Sequence, residues 1–275
     1  MMHKLTIDGM EFDVPGEWDE LSRQQLEYLA GLLSEQRSAV EVKTLMLLYG
    51  LGATVNATMD DGSYKLTIQG SRLTIDAERM SWMADLYSFL FEEDEKGVQR
   101  LSPKLTISPY PEIQRRDVRL RCTDDGMLSL PFGRYVWMQT YLSGVERDKG
   151  NLELALACEW HSVGETLEPK ESDAGIIRSL PVIRRMVMFW YISGCMRRIH
   201  RLFPRVFSGV GTVAGGNVLD QQLRLLDSLA GGDMTKKDLV RKGRLIDALY
   251  VIDESLRRKE EHDRELEKMN ATRRK

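Results

Sequence analysis

The sequence predicts an α+β fold that is predominantly α-helical, with short β-hairpins in the N-terminal half and a helical bundle in the C-terminal half. Short alternating strands around turn residues recur in the first half, beginning with residues 4–15 around Asp8-Gly9. Apolar residues at helical spacing dominate from residue 131 onwards. The chain has 275 residues, of which 42% are hydrophobic and 29% charged, a composition typical of globular proteins.

Changes in these patterns divide the chain into three regions. Residues 1–91 combine hairpins with helices. Residues 92–130 form an extended, strand-rich connector, which begins with the charged stretch 92–100. Residues 131–275 form a C-terminal helical region whose last helix projects from it.

The first helix has a strongly marked start in the sequence GEWDELSRQQL. Ser22 and Gln25 have the spacing of a capping box, and Leu21 and Leu26 are placed for a hydrophobic staple across it. Trp18 is expected to pack where the first hairpin meets the helix. We interpret these five residues as structural and not as a binding site.

The other elements of the first half are predicted from strand alternation and from the helical spacing of apolar residues. Residues 38–49 and 77–91 have the apolar spacing of helices. Residues 63–76 alternate around a glycine, and residues 118–130 alternate around an Asp-Gly pair. Each of these two stretches therefore predicts a hairpin.

The second half is predicted to be a succession of helices. Pro181 starts or kinks the longest helix, and a glycine-rich loop at 208–217 precedes the last two. Thr235 is the expected cap of the final helix. The predicted helices span residues 130–145, 151–162, 176–202, 219–231 and 235–269.

Two features bear on the compartment of the protein. Cys122, Cys158 and Cys195 are odd in number and widely spaced, which is typical of free thiols in a reducing compartment. The best candidate for a membrane span, residues 186–196, is bracketed by arginines and far shorter than the about 20 apolar residues that a span requires. We therefore expect a buried helix there and no membrane partner.

Charge is distributed unevenly along the chain. Residues 1–30 contain seven acids against Lys4 and Arg23, whereas residues 174–219 contain seven arginines and no acid. Four of these arginines fall within about one third of a helix circumference and define a basic face: Arg197, Arg198, Arg201 and Arg205. The basic face is predicted to bind a partner through phosphate or an acidic surface. The alternative is a solvated or ion-paired face of a core helix.

The residues that could perform catalysis are few. Cys158 and His161 have the i, i+3 spacing of two zinc ligands, but no second cluster of Cys or His accompanies them. The glycine-rich loop has neither the preceding strand of a dinucleotide fold nor the Gly-Lys-Ser/Thr of a phosphate loop. Hydrolase motifs are absent as well. We therefore predict no catalytic residue, no metal and no cofactor in a protein that is not an enzyme.

Beyond Leu256, the last predicted helix has almost no apolar stripe. Such a segment is either a projecting helix stabilised by i, i+4 ion pairs or a segment that packs against a partner. Both interpretations place it outside the core of the chain.

Four segments carry a family resemblance: VPGEWDELSRQQL, LPFGRYVWMQTYL, IRSLPVIRRMVMFWYISGCMRRIHRLFPRVF and LLDSLAGGDMTKKDLVRKGRLIDAL. Together they resemble phage and prophage tail-morphogenesis proteins of Bacteroides-type gut bacteria. The first resembles a Trp-x-Glu-Leu-Ser/Thr-x-x-Gln signature, and the second resembles a helix start containing Phe-Gly. The third resembles an apolar helix that ends near Phe-Pro, and the fourth resembles a small-residue turn before a closing helix.

The resemblance implies a non-enzymatic tail-assembly chaperone that binds a tape-measure or tail-tube protein in the cytoplasm of the bacterial host. Its partners would be other phage tail proteins, and self-association into a homo-oligomer stays open. The alternative is a structural virion adaptor or a packaging component that contacts DNA through the basic face. Nucleic acid is therefore an allowed partner but not the favoured one.

Overall fold

The computed structural model describes residues 2–162, 164, 166–207, 226–227, 229–231 and 233–273. Its mixed and predominantly helical architecture confirms the predicted fold class. The α-helices are α1 (Arg23–Ser34), α2 (Ala39–Gly50), α3 (Ala77–Ala84), α4 (Phe132–Ser143), α5 (Asn151–Glu159), α6 (Glu171–Arg178), α7 (Val182–Leu202), α8 (Pro204–Phe207), α9 (Lys237–Lys242) and α10 (Leu245–Arg273). The β-strands are β1 (His3–Ile7), β2 (Met10–Val14), β3 (Thr54–Thr58), β4 (Tyr64–Ile68), β5 (Ser71–Ile75), β6 (Phe91–Glu93), β7 (Gln99–Leu101), β8 (Glu112–Arg115), β9 (Val118–Arg121) and β10 (His161–Ser162).

The chain divides into two compact units, each made from two stretches of sequence. Unit one contains Met1–Pro109 and Pro181–Gly194, and unit two contains Tyr110–Leu180 and Cys195–Lys275. These divisions differ from the boundaries predicted from the sequence, which follow residues 91 and 130. A change of pattern along the chain does not reveal that the first part of α7 belongs with residues far earlier in the sequence.

Unit one begins with the predicted hairpin. β1 and β2 pair antiparallel, with Ile7 opposite Met10. The two residues between them, Asp8 and Gly9, have φ of 48° and 81°, which is the backbone of a two-residue hairpin turn. One face of the hairpin is buried in the core, namely Leu5, Ile7, Phe12 and Val14.

The first helix starts at the predicted capping box. Ser22 Oγ accepts a hydrogen bond from Gln25 N at 3.2 Å, and Gln25 Oε1 accepts one from Ser22 N at 2.9 Å. A second capping box, formed by Ser38 and Glu41, begins α2. Both boxes satisfy backbone amides that have no partner within the first turn of a helix.

Two elements of unit one differ from their predicted extent. The helix predicted for residues 77–91 ends at Ala84 and continues as a 3₁₀ helix, Asp85–Leu90. The charged stretch 92–100 is more than a connector, because β6 pairs with β7 across it. Asp94 makes this turn possible, since its Oδ1 accepts hydrogen bonds from two backbone amides within the turn.

β3, β4 and β5 form a three-stranded antiparallel sheet in unit one. The β4–β5 hairpin is the one predicted for residues 63–76. β3 was not predicted, because all of its residues are exposed and it carries no apolar alternation. The inner face of the sheet is apolar and buried, with Leu66, Ile68 and Ile75 in the core.

In unit two, β9 lies between β8 and β10. The hairpin predicted around Asp125-Gly126 is wrong, because β9 pairs backwards with β8 through a turn at Arg116, whose φ is 51°. The backbone just after β9 is hydrogen-bonded to the side chain of Glu159 and not to another strand. Thr123 donates to Glu159 Oε1 from its backbone N at 3.0 Å and from its Oγ1 at 2.6 Å.

The last predicted helix is divided into several pieces. A 3₁₀ helix, Met234–Lys236, precedes α9, and α10 begins only at Leu245. Asp233, not Thr235, is the capping residue, because Asp233 Oδ1 accepts hydrogen bonds from Thr235 N at 2.9 Å and Thr235 Oγ1 at 2.7 Å. A carboxylate is the stronger acceptor of the two side chains.

The break between α9 and α10 lies at Gly243. Gly243 O accepts a hydrogen bond from Phe132 N, and Leu245 N donates one to Leu130 O, both at 2.8 Å. Because of these two hydrogen bonds, the backbone is not helical at Gly243 and is paired with the segment before α4. The root of α10 is therefore fixed by main-chain hydrogen bonds as well as by packing.

The longest predicted helix is also divided, with α7 beginning directly after Pro181. Among the described residues, no helix is both long enough and apolar enough to cross a membrane. The predicted glycine-rich loop at 208–217 and most of the predicted helix at 219–231 lie outside the described residues.

Candidate functional site

The residues that mark the first helix are part of the core of unit one. Trp18, Leu21 and Leu26 are buried. The indole Nε1 of Trp18 donates a hydrogen bond to Phe89 O at 3.2 Å, and its ring meets Trp190 edge-on at 5.7 Å between centroids. These positions are those of a packing anchor.

Asp19, between these anchors, has a role that the sequence did not reveal. Its Oδ1 accepts hydrogen bonds from Thr106 N at 2.6 Å and Ile107 N at 2.9 Å, and its Oδ2 accepts one from Thr106 Oγ1 at 2.6 Å. A charged acceptor thus satisfies two amides of a segment without regular structure. The adjacent Glu20 accepts a hydrogen bond from Gly16 N at 2.9 Å.

The predicted basic face lies in unit two, and its four arginines are divided between two helices. Arg198 and Arg201 are exposed near the end of α7, and Arg197 is half-buried. Among the described residues, neither Arg198 nor Arg201 takes part in an ion pair. His200, between them, stacks on Phe207 at 4.0 Å between ring centroids.

Arg205 does not extend the basic face along α7. α7 ends at Leu202, and Arg205 lies on α8, which starts at Pro204, a residue that has no backbone N–H to continue the helix. The placement of all four arginines on one helix is therefore wrong. Arg205 instead forms ion pairs with Asp253 at 3.2 Å and Glu260 at 3.6 Å, and so connects α8 to α10.

α10 has two parts with different surroundings. Its first turns are packed into unit two through Leu245, Leu249 and Ile252. From Arg258 to Ala271 every residue is exposed, and we call residues 258–271 the distal segment. The distal segment is therefore helical and exposed through Ala271.

Ion pairs reinforce α10 where the packed part ends. Glu254 contacts Arg257 at 2.8 Å and Arg258 at 3.1 Å, and Arg257 also reaches Glu261 at 2.6 Å. Hydrogen bonds from Arg257 and Arg258 lower the pKa of Glu254 to about 2. The i, i+3 and i, i+4 spacing of these pairs favours the helix at the start of the distal segment.

Cys158 and His161 do not form the predicted helical pair. α5 ends at Glu159, so Cys158 lies on the helix and His161 lies in β10. Burial raises the pKa of the Cys158 thiol, which keeps it protonated and weakly nucleophilic at neutral pH. Among the described residues, no group of His, Cys, Asp and Glu could hold a metal ion.

A buried arginine organises the surroundings of Cys158. Arg134 donates hydrogen bonds to the carbonyl oxygens of Ala157 and Cys158 at 3.4 Å and of Thr166 at 2.6 Å. A guanidinium at this position satisfies the last carbonyls of α5 and complements the negative end of its dipole. The polar residues of this region are thus engaged in holding the fold together.

Comparison with known proteins adds no relative to these observations. No protein-family model, no curated protein and no solved structure matches the chain.

Proposed function

We propose that this chain is a non-enzymatic phage or prophage tail-assembly protein that binds another tail protein through the distal segment of α10. In this proposal it acts as a chaperone for a tape-measure or tail-tube protein in the host cytoplasm. The observation that carries the proposal is the complete exposure of residues 258–271 on a helix with a fixed root. The resemblance of four segments to tail-morphogenesis proteins supports the class of partner.

A helix in this situation gains stability by packing against a second helix. Isolated helices shorter than about 12–15 residues are marginal in water because nucleation is unfavourable, and helices in proteins gain most of their stability from packing. The distal segment has charged residues on all sides, and ion pairs join its residues Glu260 and Glu261 to Arg205 and Arg257. A partner helix would supply the packing that unit two supplies to the first turns of α10.

The contact surface that the distal segment offers is narrow. Leu266 and Met269 are 39% and 53% exposed, and their i, i+3 spacing places them on the same side of α10. Methionine is flexible and adapts to varied apolar partners. Acidic and basic residues flank the pair, as in helices that pack pairwise with charged rims.

Replacement of these two apolar side chains by charged ones should strongly reduce chaperoning. We expect Leu266→Glu with Met269→Glu to reduce recovery of the soluble tape-measure protein of the same phage by at least about tenfold, since two lost apolar contacts cost about 3 kcal/mol or more. The measurement is co-expression of the two proteins, followed by quantification of the soluble complex. Stability of the chain itself should not change, because both residues are exposed.

The matched control places the same substitutions elsewhere in unit two. Met234 and Leu239 are each 72% exposed, so Met234→Glu with Leu239→Glu adds the same two charges away from α10. This variant should bind like the wild type. Equal recovery with both double variants would exclude the distal segment as the binding surface. Mass spectrometry of purified virions separates the two roles, since a chaperone is absent from them and an adaptor is present.

A second candidate function, a DNA-contacting adaptor or packaging component, is favoured by Arg198 and Arg201. Both are exposed on α7 and make no ion pair among the described residues, so their charges are available to phosphates. Each phosphate contact of this kind contributes to the salt dependence of binding, with a slope of about −0.9 per neutralised charge. Arg205 is a weaker contributor because Asp253 and Glu260 neutralise it.

The test of this second function is a DNA-binding titration at several salt concentrations. Arg198→Glu with Arg201→Glu should abolish binding, and the salt slope should identify the number of contacts. Arg115→Glu with Arg147→Glu is the charge-matched control, since both arginines are exposed in unit two. Absence of DNA binding by the wild type at low salt would exclude this function.

A further inference from the structure

The outer face of the three-stranded sheet in unit one is polar and has no role in the function proposed above. Strand alternation places Lys65 and Thr67 of β4 on this face, while Leu66 and Ile68 point into the core. On β5, Arg72 and Thr74 lie opposite Thr67 and Lys65 respectively. Four polar side chains from two neighbouring strands therefore share one surface.

An irregularity in β3 adds a fifth polar group to this surface. Val55 pairs with Leu66 and Ala57 pairs with Lys65, so Asn56 is an extra residue in a β-bulge. Bulges redirect side chains and are frequent at functional sites. Here the amide of Asn56 lies on the outer face, where its Nδ2 donates a hydrogen bond to Thr67 Oγ1 at 2.9 Å.

These five side chains line a pocket of about 370 Å³ on the open face of the sheet. Small-molecule sites have volumes of about 300–1,000 Å³, so the pocket is large enough for a small ligand. Leu66 and Leu73 of the same strands complete the lining, and no acidic residue lines the pocket. The lining therefore contains hydrogen-bond donors and positive charge without a compensating carboxylate.

The two cations differ from paired cations on two other sheets of the protein. Lys65 and Arg72 are diagonal neighbours on adjacent strands, a spacing at which like charges repel. Neither side chain makes an ion pair or a hydrogen bond within the described part of the chain. By contrast, Lys4 pairs with Asp13 across the first hairpin at 2.6 Å, and Arg119 pairs with Glu112 across β8 and β9 at 3.0 Å.

We propose that this pocket binds the phosphate group of a small phosphorylated ligand. The guanidinium of Arg72 presents a fork of donors that matches a tetrahedral oxyanion, and Lys65 adds a point charge beside it. Thr67 Oγ1 already accepts a hydrogen bond from Asn56, so its own hydrogen is free to donate to the ligand, as is that of Thr74. A bound dianion also relieves the repulsion between the two cations.

The same lining argues for a small ligand and against single-stranded nucleic acid. Proteins that bind single strands combine positive charge with aromatic side chains on which bases stack. The pocket contains no aromatic residue. Its recognition is directed at the phosphate group and leaves the rest of the ligand close to solvent.

The experiment uses the full-length chain and two probes, inorganic phosphate and pyrophosphate, at constant ionic strength. Isothermal titration calorimetry gives the affinity, and amide chemical shifts of Thr67, Arg72 and Thr74 locate the site. We expect Lys65→Gln with Arg72→Gln to weaken binding by at least about tenfold, because both charge-assisted contacts are lost. Lys65→Arg should retain binding, since the charge stays in place.

The charge-matched control is Arg79→Gln with Lys96→Gln, two exposed cations of the same unit that do not line the pocket. It should bind both probes like the wild type. The proposal is overturned if the wild type binds neither probe, if both double variants lose affinity equally, or if the wild type binds a DNA or RNA oligonucleotide but neither probe. Melting temperatures of all variants confirm that each one is folded. None of these outcomes depends on the tail-assembly proposal, which is tested separately by variants of α10.

Discussion

Replacement of Gly194 by alanine should destabilise unit one by about 3 kcal/mol or more, an unusually large effect for one added methyl group. A Cβ atom at position 194 would overlap the carbonyl oxygen of Leu105 and lie 2.6 Å from its backbone N and 2.8 Å from its carbonyl C. These are backbone atoms, so no rotation of a side chain can relieve the clash. The helix and the segment around Leu105 must separate instead.

Hydrogen bonds to Asp19 oppose movement of that segment. The hydrogen bonds from Thr106 and Ile107 to Asp19 immediately follow Leu105 in sequence. Moving the segment away from Gly194 would strain or break these charge-assisted contacts. The clash therefore either strains the backbone or breaks these hydrogen bonds, and both effects lower the free energy of unfolding.

The measurement is hydrogen–deuterium exchange of peptides from unit one, because unfolding of a chain with two units is not a single two-state transition. Gly31→Ala is the matched control. Gly31 lies within α1 of the same unit, and nothing lies within 4 Å of the position of an added Cβ. Alanine there should stabilise the helix by up to about 1 kcal/mol. Similar exchange in the two variants would contradict the close contact at Gly194.

The features that were predicted correctly depend on residues close together in sequence. The turn at Asp8-Gly9 and the capping box of Ser22 and Gln25 each depend on residues no more than three positions apart. Strand alternation and helical spacing are also local. For this reason the sequence was sufficient for the fold class, the first hairpin and the start of α1.

The features that were missed depend on contacts between distant residues. Asp19 and Thr106 are 87 positions apart, and nothing in the sequence near Asp19 identifies its partners. The division of the chain into units likewise depends on where the first part of α7 packs. No periodicity along the chain contains this information.

The same distinction between local patterns and distant contacts applies to the candidate surfaces. A helical wheel placed Arg205 with Arg198 and Arg201, although the helix predicted for residues 176–202 ends before Pro204. Recognition of that proline as a helix start would have corrected the prediction. The pocket on the sheet could not be anticipated, since it requires the pairing of an unpredicted strand and a bulge at Asn56.

Replacement of Trp18 by alanine should cost about 3–5 kcal/mol of stability in unit one, the usual range for a buried tryptophan or phenylalanine. The side chain is 2% exposed, so its removal leaves a cavity against Trp190 and an unsatisfied carbonyl at Phe89. Trp18→Phe separates these two effects, because it retains most of the apolar ring and loses the indole N–H. We expect it to cost about 1–3 kcal/mol through the loss of the hydrogen bond.

Trp82→Ala is the internal control for this prediction, since it removes the same side chain from the same unit at a position that is 64% exposed. Its effect should stay within about 0.5 kcal/mol, the usual range for surface substitutions. Urea denaturation followed by far-ultraviolet circular dichroism, with hydrogen–deuterium exchange to assign the transition to unit one, compares the variants. If Trp18→Ala and Trp82→Ala unfold unit one at the same urea concentration, the first helix is not anchored through Trp18. The signature around it would then have to be explained by binding.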